Sequence, residues 1–325
     1  MSLFASHGSG IDLREIEAAA LRISPFVTTT PVMSSRVLNR QFGCELFFKC
    51  ENFQKIGAFK ARGAHNAVFS LSPMEASRGV VTHSSGNHAA ALALAARNRK
   101  IPAFIVMPEN ALKAKIASVE RNGGIITFCA PTQAAREETA RSLCQEKGAR
   151  LIHPFDDERI IAGQATAALE FIREIPSLNA LIAPLGGGGL LAGTALASHA
   201  LNPSLKVFGA EPAGADDGVR GFRSGVRQPQ PNPQTIADGL RTAVGERNFP
   251  LIRQRVADVI PVEEASIIAA MRLIWEVLKI VVEPSGAVPL AVLLENKLPP
   301  GLQQVGLILS GGNVDLDALP WSSRG

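Results

Sequence analysis

The sequence predicts an α/β fold of open, mostly parallel sheets with helices on both faces. From Glu45 onward, short apolar runs of strand length alternate with helical patterns of about ten residues or more. Strands that alternate with such helices form parallel sheets, because each helix crosses over the sheet before the next strand begins. The chain has 325 residues, 46% of them hydrophobic, so it can bury the core of a two-lobed molecule.

The predicted elements follow in chain order. A first helix spans Leu13–Ile23, with Asp12 and Glu15 as its cap, and Thr28–Pro31 interrupts the pattern after it. The predicted strands are Leu46–Lys49, Val80–Thr82, Ala103–Met107, Ile125–Phe128, Leu151–His153, Ala180–Pro184, Val207–Ala210 and Gly306–Leu309. The predicted helices include Ala61–Leu71, Asn87–Arg97, Ala111–Arg121, Ala134–Glu146, Leu190–Leu201 and Ser266–Leu278.

The block from Val80 to His153 contains four of these strands and is predicted to be a small lobe inserted in a larger one. We therefore predict a large domain of residues 1–73 and 155–325 and a small domain of residues 74–154. The segment Gly225–Thr235 is rich in Pro and Gln and is predicted to be a surface loop.

Composition excludes several classes of function. The net charge of +4 is scattered and aromatics make up only 5%, so nucleic acid is not an expected partner. No apolar run reaches the ~18 residues that a membrane span needs. The N-terminus lacks the pattern of a signal peptide, and four cysteines show no metal or disulfide spacing. These features predict a cytoplasmic protein with reduced thiols.

Lys60 lies in the stretch Asn52–Ala64, NFQKIGAFKARGA, where a strand and a loop lead into a helix. The positive end of a helix disfavours a charged lysine. A lysine that is shifted toward its neutral form is a nucleophile suited to a Schiff base. The alternative is an ordinary solvated lysine in the first turn.

Four consecutive glycines, Gly186, Gly187, Gly188 and Gly189, follow one predicted strand and precede a helix. Such a turn lets backbone N–H groups converge on an anion, and the helix adds its positive end. The turn matches neither the nucleotide-binding GxGxxG pattern nor a P-loop, so we expect a phosphate that belongs to neither NAD nor ATP. The alternative is a tight structural turn.

Two further strand ends carry polar groups. Ser84, Ser85, Gly86, Asn87 and His88 precede a helix and suit a small carboxylate, although a simple serine cap is the alternative. Ser310 follows the last strand, beside two glycines. Because ligands bind beyond the carboxyl ends of parallel strands, these turns are expected to meet at one site. A Schiff-base lysine, a phosphate turn and a carboxylate turn together indicate pyridoxal phosphate.

The sequence resembles the fold type II pyridoxal-phosphate enzymes (tryptophan synthase β-like). Within them it is similar to serine racemases and to serine/threonine and 3-hydroxyaspartate dehydratases, from about Ile11 to Leu316. The motifs that carry the resemblance are FQKIGAFKARGA, THSSGNHAAALA, HPFDDERIIAGQ, APLGGGGLLAG, AEPAGADD, TIADGLRT, VEPSGA and LSGGNVD.

The resemblance implies a role for each matched residue. Lys60 would hold the cofactor and act as base on one face of the substrate, and Phe59 would pack on the ring. Asn87 would bind the 3′ oxygen, Gly186 to Gly189 the phosphate, and Ser310 the pyridine nitrogen. A serine there leaves that nitrogen unprotonated, which favours α,β-elimination. The substrate carboxylate would lie among Ser84, Ser85, Gly86, Asn87 and His88, and Thr242 would lie near the substrate side chain.

Ser85 refines the expected activity. A racemase needs a proton carrier on each face of the α-carbon, and a hydroxyl at this position would serve the face opposite Lys60. Glu211, Asp217 and the Ala215 carbonyl match the family's divalent-cation ligands, which suit Mg²⁺, Ca²⁺ or Mn²⁺ as a structural ion. A solvated acidic loop is the alternative.

The resemblance predicts a homodimeric lyase that converts a small β-hydroxy amino acid (serine, threonine or threo-3-hydroxyaspartate) to a 2-keto acid and ammonia, with accompanying racemase activity. Phe155 and Ala89-Ala90 depart from animal serine racemases, which argues against ATP activation and for a dehydratase. The alternatives are a serine racemase proper and a non-catalytic amino-acid-binding homologue. A distal carboxylate would need a cation, for which Arg136 and Arg241 are candidates.

Overall fold

The structure, a computed structural model, describes residues 10–322 and contains ten strands and thirteen α-helices within that range. The strands are β1 Val32–Ser34, β2 Glu45–Cys50, β3 Val80–His83, β4 Ala103–Pro108, β5 Ile125–Cys129, β6 Arg150–Leu151, β7 Ala180–Pro184, β8 Lys206–Pro212, β9 Asp258–Val262 and β10 Gln304–Leu309. The helices are α1 Leu13–Ile23, α2 Arg36–Phe42, α3 Lys60–Phe69, α4 Pro73–Ser77, α5 Asn87–Arg99, α6 Lys113–Arg121, α7 Gln133–Lys147, α8 Glu158–Glu174, α9 Gly189–Leu201, α10 Asp217–Ser224, α11 Asn248–Arg255, α12 Glu264–Leu278 and α13 Pro284–Leu294.

The strands form two sheets, which we call the large sheet and the small sheet. The large sheet has the order β1-β2-β10-β7-β8-β9, and only the β1–β2 pair is antiparallel. The small sheet has the order β5-β4-β3-β6 and is parallel throughout. The predicted α/β class with two mostly parallel sheets is confirmed.

Helices cover both faces of the large sheet, as expected for parallel strands. One apolar core joins α1, α8 and α9 to one face, and a second joins α12 and α13 to the other. A third core packs α3 and α5 on the small sheet. Within residues 10–322, no helix combines the length and the apolar composition that crossing a bilayer requires.

The predicted strand Leu151–His153 is wrong in its bounds, since β6 is Arg150–Leu151. The chain turns at His153, because its Nδ1 accepts a hydrogen bond from the Asp156 backbone N–H at 2.9 Å. The domain boundaries stay a prediction, and residues 1–9 and 323–325 of the proposed large domain lie outside the described residues. The same holds for most of the N-terminal stretch in which no signal peptide was predicted.

A buried ion cluster fixes the start of α3. Arg62 is fully buried and donates to both carboxylate oxygens of Glu51 at 2.8 and 2.9 Å. It also donates to both oxygens of Glu170 at 2.7 and 2.8 Å, and Lys49 pairs with Glu170 at 2.9 Å. Removing one partner from such a cluster would leave a buried charge without compensation. The cluster therefore joins α3 to α8 and to the end of β2.

Candidate active site

Lys60 is the first residue of α3 and is half-buried. Its Nζ donates to the Pro154 carbonyl oxygen at 2.8 Å and lies 5.1 Å from the centre of the Phe59 ring. Burial lowers the pKa of Lys60 from 10.5 to about 8. A substantial fraction of the amine is therefore neutral near physiological pH and can act as a nucleophile.

Three neighbouring strands bring Lys60 to the other predicted residues. The central strands β2, β10 and β7 are adjacent and parallel, so their carboxyl ends share one edge of the large sheet. Lys60 follows β2, Ser310 follows β10, and the four glycines follow β7. Ser310 is buried, and its carbonyl oxygen accepts the Phe59 N–H at 3.0 Å. The topology therefore places the three features side by side.

The turn Gly186–Gly189 leads directly into the 13-residue helix α9. Within residues 10–322, none of its four backbone N–H groups donates a hydrogen bond. Packing also requires glycine, because an added Cβ at Gly187 would lie 2.2 Å from the Phe155 Cγ, and Gly188 has a φ of +92°. The turn is thus tightly packed from behind, yet its N–H groups are free to bind an anion.

Phe155 connects the glycine turn to the lysine. Pro154 accepts the Lys60 hydrogen bond, and the next residue, Phe155, packs against Gly187 and Gly189. Asn248 Nδ2 donates to the carbonyl oxygens of Phe155 and Gly187 at 3.0 and 2.7 Å. Lys60 and the glycine turn therefore line the same short loop from two sides.

The Ser84–His88 turn comes from the small sheet and leads into the 13-residue helix α5, with Gly86 as N-cap. Within residues 10–322, the N–H groups of Ser85, Asn87 and His88 donate no hydrogen bond. Burial, together with the charge of Lys60, holds the pKa of His88 well below its ordinary range, so this imidazole is neutral. The turn can receive a small carboxylate through its free N–H groups.

Asn87 joins the two sheets through Glu283 and Asn313, two residues that were not predicted to belong to the site. Its Nδ2 donates to Glu283 Oε1 at 2.9 Å, and its Oδ1 accepts from Asn313 Nδ2 at 2.9 Å. Asn313 also donates to the Ile56 carbonyl oxygen at 2.7 Å. Burial and the nearby charge of Asp238 raise the pKa of Glu283 to about 8. In the sequence, only the position of Glu283 between the apolar run Ile280–Val282 and a proline could have indicated that this glutamate is buried at the site.

Comparison with known proteins identifies the family. Residues 23–311 match the family described as "Pyridoxal-phosphate dependent enzyme". A serine racemase of Oryza sativa subsp. indica is 47% identical over 323 residues, which cover 98% of this chain and 95% of that protein. A β-hydroxyaspartate dehydratase of Paracoccus denitrificans is 47% identical over 305 residues, 94% of this chain and 97% of that one. The solved structure of maize serine racemase has a TM-score of 0.93 and 47% identity, and the match covers 94% of each chain.

The chain belongs to the pyridoxal-phosphate dependent enzymes. The residues at the site fit the cofactor by their chemistry. Lys60 offers an amine of lowered pKa, and the glycine turn offers unused N–H groups for a phosphate. Phe59 offers an aromatic face. Buried Ser310 follows β10, which lies between the strand that precedes Lys60 and the strand that precedes the glycine turn.

The predicted metal residues are linked to the glycine turn through Val244 and Gly245, since Val244 N–H donates to Asp217 and Gly245 N–H donates to the Gly187 carbonyl oxygen. Glu211 accepts the N–H groups of Gly218 and Val219 at 3.1 and 2.8 Å, and Asp217 Oδ2 accepts that of Val244 at 2.9 Å. Asp217 Oδ1 is buried and accepts no hydrogen bond from residues 10–322. Burial, with the charge of Asp217, raises the pKa of Glu211 well above its ordinary range.

These two carboxylates fit a hard cation, which would relieve their mutual repulsion. Ala215 is buried in the short 3₁₀ turn just before Asp217. Within the described part of the chain, no group of three His, Cys, Asp or Glu side chains could hold a metal. A cation here would therefore depend on the Ala215 carbonyl and on water to complete its coordination.

Within residues 10–322, the remaining predicted residues, Thr242, Arg241 and Arg136, form no hydrogen bond with the other predicted site residues. Thr242 is exposed, three residues before Gly245, whose N–H donates to the Gly187 carbonyl oxygen at 3.1 Å. Arg241 donates through Nε and Nη2 to the Thr235 carbonyl oxygen, which commits two of its donors. Arg136 lies in α7, and its charge acts on His83, the last residue of β3.

Proposed function

We propose that this enzyme eliminates water from a small β-hydroxy amino acid, and that the released enamine tautomerises to an imine, which water hydrolyses to a 2-keto acid and ammonia. The observation that carries the proposal is one amine of lowered pKa, Lys60, close to two turns with free N–H groups. One turn suits the cofactor's phosphate and the other suits the substrate's carboxylate. Bound pyridoxal phosphate supplies an electron-withdrawing ring that acidifies the substrate's α-carbon.

Each residue has a distinct part in this proposal. The N–H groups of the Ser84–His88 turn would hold the α-carboxylate, and Asn87 would bind the cofactor's 3′ oxygen. Lys60 Nζ would take the proton from the α-carbon, and Phe59 and Ser310 would hold the ring and its nitrogen. The Asn87 amide is already oriented by Glu283 and Asn313, so it loses little entropy on binding.

Serine, threonine and threo-3-hydroxyaspartate are the proposed substrates. The support is the 47% identity, over almost the whole chain, to a serine racemase and to a β-hydroxyaspartate dehydratase. The test is a combined assay of keto acid and chiral amino acid with both enantiomers of each substrate. Keto acid and ammonia in equal amounts are expected, whereas no turnover of any of the three would contradict the proposal.

Racemisation of serine is the second candidate function, and Ser85 is the observation that favours it. Ser85 is half-buried in the Ser84–His88 turn, and in this proposal its hydroxyl carries a proton to the face of the α-carbon opposite the one that Lys60 serves. Ser85→Ala is expected to lower racemisation by roughly 10²- to 10⁴-fold. Elimination from one enantiomer should survive, and an equal loss of both activities would contradict this two-face assignment.

A structural divalent cation at Glu211, Asp217 and the Ala215 carbonyl completes the proposed site. The support is the buried, unpartnered Asp217 Oδ1 and the raised pKa of Glu211. A chelator is expected to lower the melting temperature, and Mg²⁺, Ca²⁺ or Mn²⁺ should restore it. A melting temperature that is insensitive to chelator in the wild type would remove the cation from the proposal.

We further propose a cytoplasmic homodimer. Phe53 exposes 46% of its surface and Val281 exposes 43%. Their segments are adjacent, because Asn52 Nδ2 donates to the Val281 carbonyl oxygen. This exposed apolar face supports the dimer, in which a second copy of the chain would cover it. All four cysteines are free, in keeping with a reducing compartment. Light scattering after gel filtration tests the dimer, and Phe53→Ser should weaken it.

A further inference from the structure

One ion pair, between Lys115 and Asp238, joins the part of the chain around the small sheet to the part around the large one. Lys115 is the third residue of α6, which packs with the small sheet. Its Nζ contacts Asp238 Oδ2 at 2.5 Å, and the side chains are 34% and 43% exposed. Asp238 begins the short 3₁₀ turn Asp238–Leu240 on the side of the large sheet.

This pair belongs to the site rather than to the remote surface. The turn that carries Asp238 packs on the glycine turn, because an added Cβ at Gly186 would lie 2.8 Å from the Leu240 Cα. The charges of Asp238 and Lys115 both act on Glu283, which holds Asn87. Lys115 therefore holds a positive charge within electrostatic reach of the residues that bind cofactor and substrate.

We propose that Lys115 recognises the distal carboxylate of a dicarboxylic hydroxy amino acid, with Asp238 occupying that place in the free enzyme. The proposal rests on the proposed function and names the group that would select one substrate class within it. A carboxylate already lies on Lys115 in hydrogen-bonding geometry, and the pair is exposed enough for another carboxylate to exchange with it. A charge-assisted contact of this kind selects for substrates that carry the second charge.

The other cations near the site are less suited to this role. Arg241 has two donors committed to the Thr235 carbonyl oxygen. Arg136 donates through Nε to the Thr132 carbonyl oxygen, at the N-cap of its own helix α7, at 3.4 Å. Lys115, by contrast, is already paired with a carboxylate, that of Asp238, across the two sheets.

The test is the ratio of kcat/KM for threo-3-hydroxyaspartate to kcat/KM for L-serine. Lys115→Met is expected to lower this ratio by about tenfold or more, since an apolar side chain of similar length cannot pair with the carboxylate. Lys115→Arg should retain part of the ratio, and Asp238→Asn should raise it by freeing Lys115. Lys297→Met is the matched control, because Lys297 is 38% exposed and is paired with Glu295 away from the site.

A second measurement separates binding from turnover. 2-Methylaspartate and 2-methylserine lack the α-proton, so their dissociation constants from the holoenzyme report binding alone. Lys115→Met should weaken the binding of 2-methylaspartate by about tenfold or more relative to the binding of 2-methylserine. An equal effect on both ligands would overturn the proposal, as would a selective loss that appears in Arg136→Met and not in Lys115→Met.

The failures of the two proposals are distinguishable. A wild-type enzyme that converts none of the tested amino acids contradicts the proposed function itself. A wild-type enzyme that converts serine but neither converts hydroxyaspartate nor binds 2-methylaspartate contradicts only the role of Lys115.

Discussion

Lys60 and Arg62 lie two residues apart in the first turn of α3, yet the protein surrounds them very differently. Arg62 donates to four carboxylate oxygens of Glu51 and Glu170. Burial alone would lower its pKa, but these carboxylates raise it above its ordinary value. Lys60 contacts one carbonyl oxygen, and burial lowers its pKa to about 8.

The difference separates a structural charge from a reactive one. A buried group that holds the fold has its hydrogen-bonding capacity filled, because each unfilled donor costs free energy. A group that must react is left with few partners and a shifted pKa. The same contrast holds between ordinary turns and the glycine turn, whose four N–H groups have no acceptor in residues 10–322.

The largest expected effect lies on the structural side. Arg62→Met should lower the free energy of unfolding by about 3–5 kcal/mol, because it leaves Glu51 and Glu170 buried without their partner. Urea denaturation of the apoprotein measures the change. Arg272→Met is the control, because Arg272 is 59% exposed beside Glu276 and its loss should cost less than about 1 kcal/mol. Equal effects of the two variants would contradict the contrast.

The next largest expected effect is a pH dependence of the free energy of unfolding, caused by Glu283. Its pKa in the folded protein is about 8 against an ordinary 4.5, so between these values the folded state holds a proton that the unfolded state has lost. Its contribution to stability is present below the ordinary pKa and is lost as the pH rises toward 8.

Glu283→Gln should therefore flatten the fall of stability with pH. Between pH 5 and pH 8 the free energy of unfolding of the wild-type apoprotein should fall further than that of the variant, by an amount on the order of 3 kcal/mol. Glu211 and Asp217 also have raised pKa values but are present in both proteins, so the difference isolates Glu283. Parallel curves for the two proteins would show that Glu283 does not titrate in this range.

A smaller effect is expected at the glycine turn. Gly187→Ala forces a Cβ to within 2.2 Å of the Phe155 ring and should weaken binding of pyridoxal phosphate by about 10- to 100-fold, which corresponds to ~1–3 kcal/mol of strain. Absorbance titration of the apoenzyme measures the affinity. Gly10→Ala, with no atom within 4 Å of the added Cβ, is the neutral control.

A second substitution, at Phe155, tests whether the collision with its ring causes the loss of affinity in Gly187→Ala. In a Phe155→Ala background, Gly187→Ala should cost much less affinity, because the ring that it collides with is absent. If the cost stays the same, the contact with Phe155 is not its cause.

The sequence was sufficient for those parts of the fold in which local pattern and tertiary structure agree. The strand Ala180–Pro184 was predicted with its observed bounds, and all four strands of the small sheet lie within the block Val80–His153 that was predicted to contain four strands. β9 was missed because Pro261 interrupts its pattern, which an edge strand tolerates. α13 was missed because it is apolar on nearly every face and carries Pro289, so it shows no helical period.

The site was predictable where its chemistry is local in the chain. Three segments, around Lys60, at Ser84–His88 and at the four glycines, can each be recognised from a few consecutive residues. The Asn87–Glu283 and Asn87–Asn313 contacts join residues 196 and 226 positions apart, and only the folded chain brings them together. The pairing of Lys115 with Asp238 across 123 positions was beyond sequence reasoning for the same reason.

Borohydride reduction of the holoenzyme, followed by peptide mapping, tests whether Lys60 carries the cofactor. Reduction fixes pyridoxal phosphate to the amine that carries it, and we expect one modified peptide, whose label lies on Lys60. A label on another lysine, or an active enzyme that takes up no label, would show that Lys60 does not have this role.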